Sequence, residues 1–300
     1  MTWSGPWPPS PRPLAAEHVE TETFEVAAEG RGLAGEEVGV GPAVVQLHGL
    51  TATRRYVLHG SVALARRGHR LVSYDARGHG VSDPAPAGGG YSYGELTDDL
   101  CALLADRCPD ERPVLVGHSM GCHTAVAHAL GHADSVGALV LAGPVTLGLP
   151  APDEALAHWD RLADGLERGG VDGFMAAYEA DMHVDPGWRE TVLRINRERM
   201  ERHRHPKAVA QAIREVPRSL PFDGLEELET LNVPALVVAS HDEADPNHPY
   251  AIAEAWAERL PAGRLVSEEP GASPLAWQGG RLSRAIADFL EEPAVRERLS

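Results

Sequence analysis

The sequence is poor in cysteine, in basic residues and in long apolar runs, and each shortage argues against a class of protein. Only three cysteines occur, Cys101, Cys108 and Cys122, which argues against a disulfide framework and favours a reducing cytoplasm. We interpret Cys101 and Cys108 as small apolar packing residues of one helix. Acidic residues outnumber basic ones by 44 to 27, so the surface should repel nucleic acid and anionic membranes.

Targeting and cofactor signals are also missing. Residues 1–17 are proline-rich, with neither a basic start nor a long apolar run, so we expect a flexible arm and no signal peptide or membrane anchor. There is no glycine-rich phosphate loop. His203 and His205 are two residues apart, so on a helix they would point away from each other, and no metal-ligand pattern of histidines stands out on one element. We therefore expect no cofactor and no metal.

Short apolar runs alternate with helical patterns along most of the chain. Leu96, Leu100, Leu103 and Leu104, for example, form the apolar stripe of a helix. This order predicts an α/β fold with a mostly parallel sheet and helices on both faces. The predicted strands are residues 19–26, 43–48, 70–74, 113–117, 137–142, 235–239 and 264–268; the helices predicted around the last two are residues 251–260 and 282–290.

Residues 146–233 interrupt the alternation with one helical pattern after another. The predicted helices are residues 153–167, 171–180, 186–202 and 206–216. A connection of this length without structure of its own would be unusual in a compact protein. We therefore expect a helical cap at residues 148–218, inserted into a core that consists of residues 18–147 and 219–300.

The motif Gly117-His118-Ser119-Met120-Gly121 follows an apolar run and opens a helical pattern. In a G-x-S-x-G turn between a strand and a helix, the serine has a strained backbone, and the glycines are needed because side chains there would clash with neighbouring elements. The hydroxyl is then held out at the edge of the sheet. The alternative interpretation of Ser119 is a serine that caps the helix.

With this motif, the chain resembles the α/β-hydrolase family, and other segments match in the expected order. They are His48-Gly49-Leu50, the string "LVSYDARGHGVSD" and the string "SHDEADPNHP". The resemblance implies an eight-stranded type of sheet, Ser119 as nucleophile, the backbone N–H groups of Leu50 and Met120 as oxyanion donors, and Asp245 as the acid of the triad. Asp242 and Glu243 compete for that last role. We expect His48, His79 and His118 to hydrogen-bond the backbone.

The catalytic base of the family is absent from its expected place. In related enzymes a histidine on the loop after the last strand takes the proton of the serine, but here that loop reads "PGASPLAWQ", with Ser273 or Pro274 at the position. The last histidine of the chain is His248. Either His248 or His183 is a possible substitute base, and Glu268 and Glu269 are weaker candidates.

These patterns predict an enzyme that hydrolyses or transfers the acyl group of a small or medium organic ester, thioester or related carbonyl compound. Two alternatives stay open: a proton-transfer enzyme such as an epimerase, isomerase or lyase, and a module that binds without reacting. The expected partner is a small-molecule or peptide-like carbonyl compound, without nucleic acid or membrane, and the sequence does not indicate the oligomeric state. Four residues would line the cap or form its core: Trp159, Met175, Met182 and Trp188.

Overall fold

Eight β-strands form one sheet in the computed structural model, which describes residues 20–86, 89–242, 245, 247–271, 277 and 280–299. The strand order is β1-β2-β4-β3-β5-β6-β7-β8. β2 pairs antiparallel with β1 and with β4, and all other pairs are parallel. The strands are β1 (Thr21–Ala28), β2 (Arg31–Val38), β3 (Ala43–Leu47), β4 (Arg70–Tyr74), β5 (Val114–His118), β6 (Ala138–Ala142), β7 (Ala235–Ala239) and β8 (Gly263–Ser267).

The central strands are short and apolar because helices cover both of their faces. All five residues of β3, of β6 and of β7 are buried, as expected for parallel strands between two helical layers. The predicted α/β class with a mostly parallel sheet is confirmed. Sequence analysis missed β2, whose sequence RGLAGEEV has neither an apolar run nor a regular alternation.

Two helical layers enclose the sheet. Leu100 of α1, Ala125 of α2 and Trp256 of α6 pack on one face, whereas Ile286 of α7 and Val295 of α8 belong to the cluster on the other face. No helix in the described part of the chain is both long and apolar enough to cross a membrane. The helices of the two layers are α1 (Tyr93–Arg107), α2 (Met120–His132), α6 (Tyr250–Arg259), α7 (Arg281–Leu290) and α8 (Pro293–Leu299).

Three further helices lie between β6 and β7, and we refer to α3 (Asp153–Ala180), α4 (Arg189–Met200) and α5 (Pro206–Glu215) as the inserted helices. The two helices predicted at residues 153–167 and 171–180 form one run, which is interrupted at Gly170, where φ is 59° and ψ is −147°. The inserted helices share an apolar cluster with Leu50 and Met120 of the core. Met175 is buried in that cluster, whereas Trp159, Met182 and Trp188 are only half-buried.

Candidate active site

Ser119 lies at the turn between β5 and α2. Its φ of 51° and ψ of −117° belong to a region that residues other than glycine seldom adopt, at a cost of about 1–3 kcal/mol. The backbone N–H donates to the carbonyl of Ala142 at 2.8 Å. The hydroxyl makes no capping bond to α2, and no described residue forms a hydrogen bond with it. The interpretation of Ser119 as a helix-capping side chain therefore has no support in the geometry.

The two glycines of the motif allow this turn to form. A Cβ atom on Gly117 would lie 2.4 Å from the Cα of Cys122, and one on Gly121 would lie 2.0 Å from the carbonyl oxygen of Leu47 in β3. Both contacts are with backbone, which has little freedom to move. Only glycine lets the start of α2 approach β5 and β3 this closely.

The loop after β3 lies close to Ser119. A Cβ on Gly49 would lie 3.4 Å from the Cβ of Ser119. The backbone N–H groups of Leu50 and Met120, predicted to be oxyanion donors, form no hydrogen bond to any described residue. They are therefore available to a ligand oxygen beside Ser119.

Two buried histidines hold this loop through backbone hydrogen bonds, as expected. His48 accepts from the N–H of Ala76 through Nε2 at 2.9 Å, so its Nδ1 donates to the carbonyl of Gly49 at 2.8 Å. The Nε2 of His79 lies 2.7 Å from the carbonyl oxygen of Leu50. Burial lowers the pKa of both imidazoles. Their hydrogen bonds to the backbone hold the loop in place.

Asp245 and His248 form a hydrogen-bonded pair on the loop after β7. The Nδ1 atom of His248 lies 2.7 Å from Oδ2 of Asp245, and the N–H of His248 donates to the carbonyl of Asp245 at 3.2 Å. Burial raises the pKa of Asp245, but the charge and hydrogen bond of His248 outweigh burial, so the pKa lies below its usual value. The carboxylate accepts the Nδ1 proton, which leaves Nε2 of His248 free to accept another.

The ring of His248 lies between the end of β6 and the residue that precedes Ser119. A Cβ on Gly143, whose φ is 60°, would lie 3.0 Å from the His248 ring. The rings of His248 and His118 meet edge to face with centroids 5.0 Å apart. Burial, His248 and Arg199 lower the pKa of His118 to about 3. His118 thus packs against another histidine and forms no hydrogen bond to the backbone of the described residues, so the expectation of a backbone hydrogen bond is not met there.

The other predicted site residues lie elsewhere. His183 is exposed, and its Nδ1 contacts the carbonyl of Asp181 at 2.9 Å. Glu268 accepts from the N–H of His241 at 2.7 Å, and Glu269 is exposed. Asp242 accepts from the N–H of Tyr250 at the start of α6. The remaining candidates, Glu243, Ser273 and Pro274, fall outside the described residues.

Arg199 on α4 was missed by sequence analysis. Its Nε atom is buried, no described residue forms a hydrogen bond with it, and its Cζ lies 5.5 Å from the centroid of the Tyr56 ring. Its sequence context, "NRERMERHR", is that of an exposed charged helix. No sequence signal distinguishes it from its neighbours, because only the packing of α4 shows which arginine has a buried Nε atom.

A cluster of side chains of the types that can hold a metal ion was also missed. Cys101 of α1 lies next to His128 and His132 of α2, and one ligand atom from each residue falls within 4.8 Å of the others. The expectation that no element carries two histidines at metal-ligand spacing was wrong, since His128 and His132 are i and i+4 on one helix. The interpretation of Cys101 as a purely apolar packing residue was also wrong, because its thiol contacts both imidazoles.

Comparison with known proteins decides the family. A profile described as the α/β hydrolase fold matches residues 42–183. A 2-hydroxy-6-oxononadienedioate/2-hydroxy-6-oxononatrienedioate hydrolase from Burkholderia vietnamiensis is 30% identical over 210 residues, which cover 67% of this chain and 70% of that one. The chain belongs to the α/β-hydrolase family. Its matches to five curated hydrolases of this type span between 36% and 70% of their lengths.

Solved structures of other α/β hydrolases superpose on this one. A thermophilic esterase from Thermogutta terrifontis is 25% identical, with a TM-score of 0.75 over 93% of this chain and 100% of that chain. An enol-lactonase from Burkholderia xenovorans is 23% identical, with a TM-score of 0.71 over 90% of this chain and 100% of that one. The latter comparison supports the fold alone. The named relatives of this α/β hydrolase are thus a hydrolase of oxo-dienedioates, an esterase and an enol-lactonase.

Proposed function

We propose that this α/β hydrolase cleaves or transfers the acyl group of a small or medium ester, thioester or related carbonyl compound, with Ser119 as nucleophile and His248 as base. The observation that carries the proposal is the 2.7 Å hydrogen bond between His248 and Asp245, next to the strained turn at Ser119. A histidine held by a carboxylate near a serine is the arrangement that serine hydrolases require. Here acid and base both come from the loop after β7.

In the proposed reaction, Nε2 of His248 accepts the Ser119 proton as Oγ attacks the substrate carbonyl. The N–H groups of Leu50 and Met120 stabilise the oxyanion, and Asp245 stabilises the imidazolium that forms. His248 then protonates the leaving group and afterwards activates the water that hydrolyses the acyl-enzyme. No hydrogen bond joins Ser119 to His248 in the described structure, so we expect their contact to form when substrate is bound.

The position of the inserted helices is consistent with a substrate of limited size. We propose that they form a cap, at residues 148–218, over Ser119. Their link to the core includes His203, whose Nδ1 accepts from the N–H of Gly80 at 2.9 Å. A cap at this place would exclude water from the acyl-enzyme and limit the size of the substrate. The relatives named above act on small organic acids or esters, which agrees with this proposal.

Treatment with a fluorophosphonate probe tests the proposed nucleophile. We expect labelling of Ser119, and a loss of about a thousandfold or more in kcat/KM for p-nitrophenyl esters in Ser119→Ala, because no other hydroxyl occupies the turn. Ser135→Ala is the control, since that exposed serine donates to the carbonyl of His132 and to no other described residue. Mass spectrometry of the labelled peptide identifies the modified residue.

Three results would contradict the proposal. Labelling that persists in Ser119→Ala would place the nucleophile elsewhere. Absence of labelling, together with uptake of deuterium from heavy water at a carbon of a converted substrate, would favour a proton-transfer enzyme. A ligand that raises the melting temperature without any turnover would favour a module that binds without reacting.

A further inference from the structure

Three side chains of the types that bind transition metals meet where α1 packs beside α2. They are Cys101 of α1 and His128 and His132 of α2, and we call them the thiol–imidazole cluster. Sγ of Cys101 lies 3.4 Å from Nδ1 of His128 and 3.9 Å from Nε2 of His132. One ligand atom from each residue lies within 4.8 Å of the other two. Three candidate ligands thus converge on one place from two helices.

The distances within the thiol–imidazole cluster approach those of a tetrahedral zinc site. With zinc–sulfur bonds of about 2.3 Å and zinc–nitrogen bonds of about 2.0–2.1 Å, a sulfur and a nitrogen ligand lie roughly 3.5–3.6 Å apart. The two sulfur–nitrogen distances observed, 3.4 and 3.9 Å, are close to that separation. His132 is exposed, so its ring can turn towards an ion without disturbing the core.

The two imidazoles have a spacing that suits a shared ion. His128 and His132 are i and i+4 on α2, so they lie on one face of the helix, one turn apart. Their rings stack, with centroids 4.8 Å apart and an angle of 29° between the planes. Cys101 reaches this pair from α1. The third ligand distinguishes the cluster from a histidine pair exposed on a single helix, because an ion bound here joins two elements.

His128 is a buried imidazole with few polar contacts. It is 4% exposed, and its Nε2 atom forms no hydrogen bond with any described residue. Its Nδ1 atom faces the thiol of Cys101, and sulfur is a weak hydrogen-bond partner. Burial and the neighbouring His132 lower the pKa of His128 to about 4, so the ring is neutral near neutral pH. An ion on Nδ1 would supply the strong interaction that this buried polar group lacks.

The environment of Cys101 argues against a reactive thiol. Burial and the charge of Asp98 raise the pKa of the Cys101 thiol, so without an ion it stays protonated near neutral pH. A protonated thiol is a poor nucleophile and reacts slowly with oxidants. A divalent cation reverses this balance, because it stabilises the thiolate directly. Metal binding therefore fits this cysteine better than redox chemistry does.

The charges around the thiol–imidazole cluster favour a cation over an anion. His132 is the last residue of α2, where the helix dipole is negative. Asp98 precedes Cys101 by one turn on α1, so its carboxylate lies on the same face of that helix. The protein as a whole carries a net charge of −17. These charges raise the local concentration of metal ions.

We propose that the thiol–imidazole cluster binds a zinc-type divalent ion through Sγ of Cys101, Nδ1 of His128 and Nε2 of His132. Water completes the tetrahedral coordination. As the bond between Sγ and the metal forms, the thiol releases its proton to solvent. Thiolate and imidazole ligands select zinc and related transition metals, whereas magnesium and calcium bind oxygen ligands.

The proposed ion has a structural role, because the cluster lies away from Ser119. α2 begins directly after Ser119, and His128 lies roughly 13 Å further along its axis, given a rise of 1.5 Å per residue. An ion there cannot contact an acyl group on Ser119. It fastens the C-terminal half of α2 to α1 instead. The inference is therefore independent of the proposed function and of any substrate.

A titration with cobalt(II) tests the site, because cobalt(II) binds the same ligand types as zinc and absorbs light. The full chain, prepared without a histidine tag, should bind about one cobalt ion and develop a thiolate-to-cobalt band in the near ultraviolet. Cys101→Ser should abolish the band. His132→Gln should weaken cobalt binding by about tenfold or more, because one ligand is lost.

Two variants serve as matched controls. Cys108→Ser changes the thiol directly after α1, which is buried and contacts Arg70 instead of the histidines. His205→Gln changes a histidine just before α5. Both should keep the band and an affinity within about twofold of wild type. Because His132 is exposed, His132→Gln tests the site even if Cys101→Ser unfolds.

Thermal unfolding gives a second readout. Zinc at about a hundredfold excess over its Kd should raise the melting temperature by about 5 °C, and the rise should disappear in Cys101→Ser. Removal of zinc by a chelator should lower the melting temperature again and leave any esterase kcat/KM within about twofold. Cobalt binding without the thiolate band, binding unchanged in Cys101→Ser, or no thermal shift with zinc would overturn the proposal. A loss of activity above about tenfold in the folded, metal-free protein would contradict the structural role.

Discussion

Replacement of His248 by glutamine should lower kcat/KM for ester hydrolysis by about a thousandfold, because the side chain that accepts the Ser119 proton would be lost. Glutamine keeps approximately the size of the imidazole and can still donate to Asp245, so the loop should keep its shape. The pre-steady-state release of p-nitrophenol measures acylation directly, and fluorophosphonate labelling should slow in parallel.

His183→Gln is the matched control for that variant. His183 is the other proposed substitute base, but its side chain is exposed and contacts a backbone carbonyl of the inserted segment. We expect activity within about twofold of wild type, as for most exposed positions. A His248→Gln variant with full activity, or an inactive His183→Gln variant, would contradict the assignment of the base.

Replacement of Gly121 by alanine should destabilise the fold by about 3 kcal/mol, because the added Cβ would lie 2.0 Å from the carbonyl oxygen of Leu47. Neither partner can move easily, since α2 starts at this point and β3 lies in the centre of the sheet. Urea denaturation monitored by circular dichroism measures the loss. Activity should fall as well, because any shift of α2 moves the Met120 N–H relative to Ser119.

Gly131→Ala serves as the control on the same helix. No atom lies within 4 Å of the place that its Cβ would occupy, and Gly131 is exposed. Alanine favours helix more than glycine does, so this variant should gain about 0.5 kcal/mol. Equal stability of the two variants would show that the close approach of α2 to β3 does not limit the residue at position 121.

Buried strands and long helices could be predicted from the sequence because their apolar residues recur at regular spacing. β3, β5, β6 and β7 lie within one residue of the predicted bounds. Sequence analysis missed β2 because its sequence, RGLAGEEV, consists largely of glycine and charged residues and therefore lacks an apolar periodicity. The break predicted between the helices at residues 153–167 and 171–180 is confirmed at Gly170, whose non-helical φ and ψ separate the two parts of α3.

The candidate site was predictable only in part. Ser119, Leu50, Met120 and Asp245 follow from motifs that the sequence displays. His248 could be named as a candidate, but its pairing with Asp245 depends on how the loop turns after β7. Arg199 could not have been found, since a buried Nε atom without a hydrogen bond to the described residues is a property of the packed molecule. The pair His128 and His132 could have been found from spacing alone, yet Cys101 joins them only through the packing of α1 on α2.

The contact between Asp245 and His248 spans three residues of one loop. In the proposed enzyme, acid and base would therefore stay aligned through a local turn of the chain, without help from a second loop. The segment after β8 would then be released from any catalytic demand and could vary in length or composition at little cost to the reaction. If the proposed roles hold, a graft of the loop after β7 onto a related scaffold would transfer both groups together.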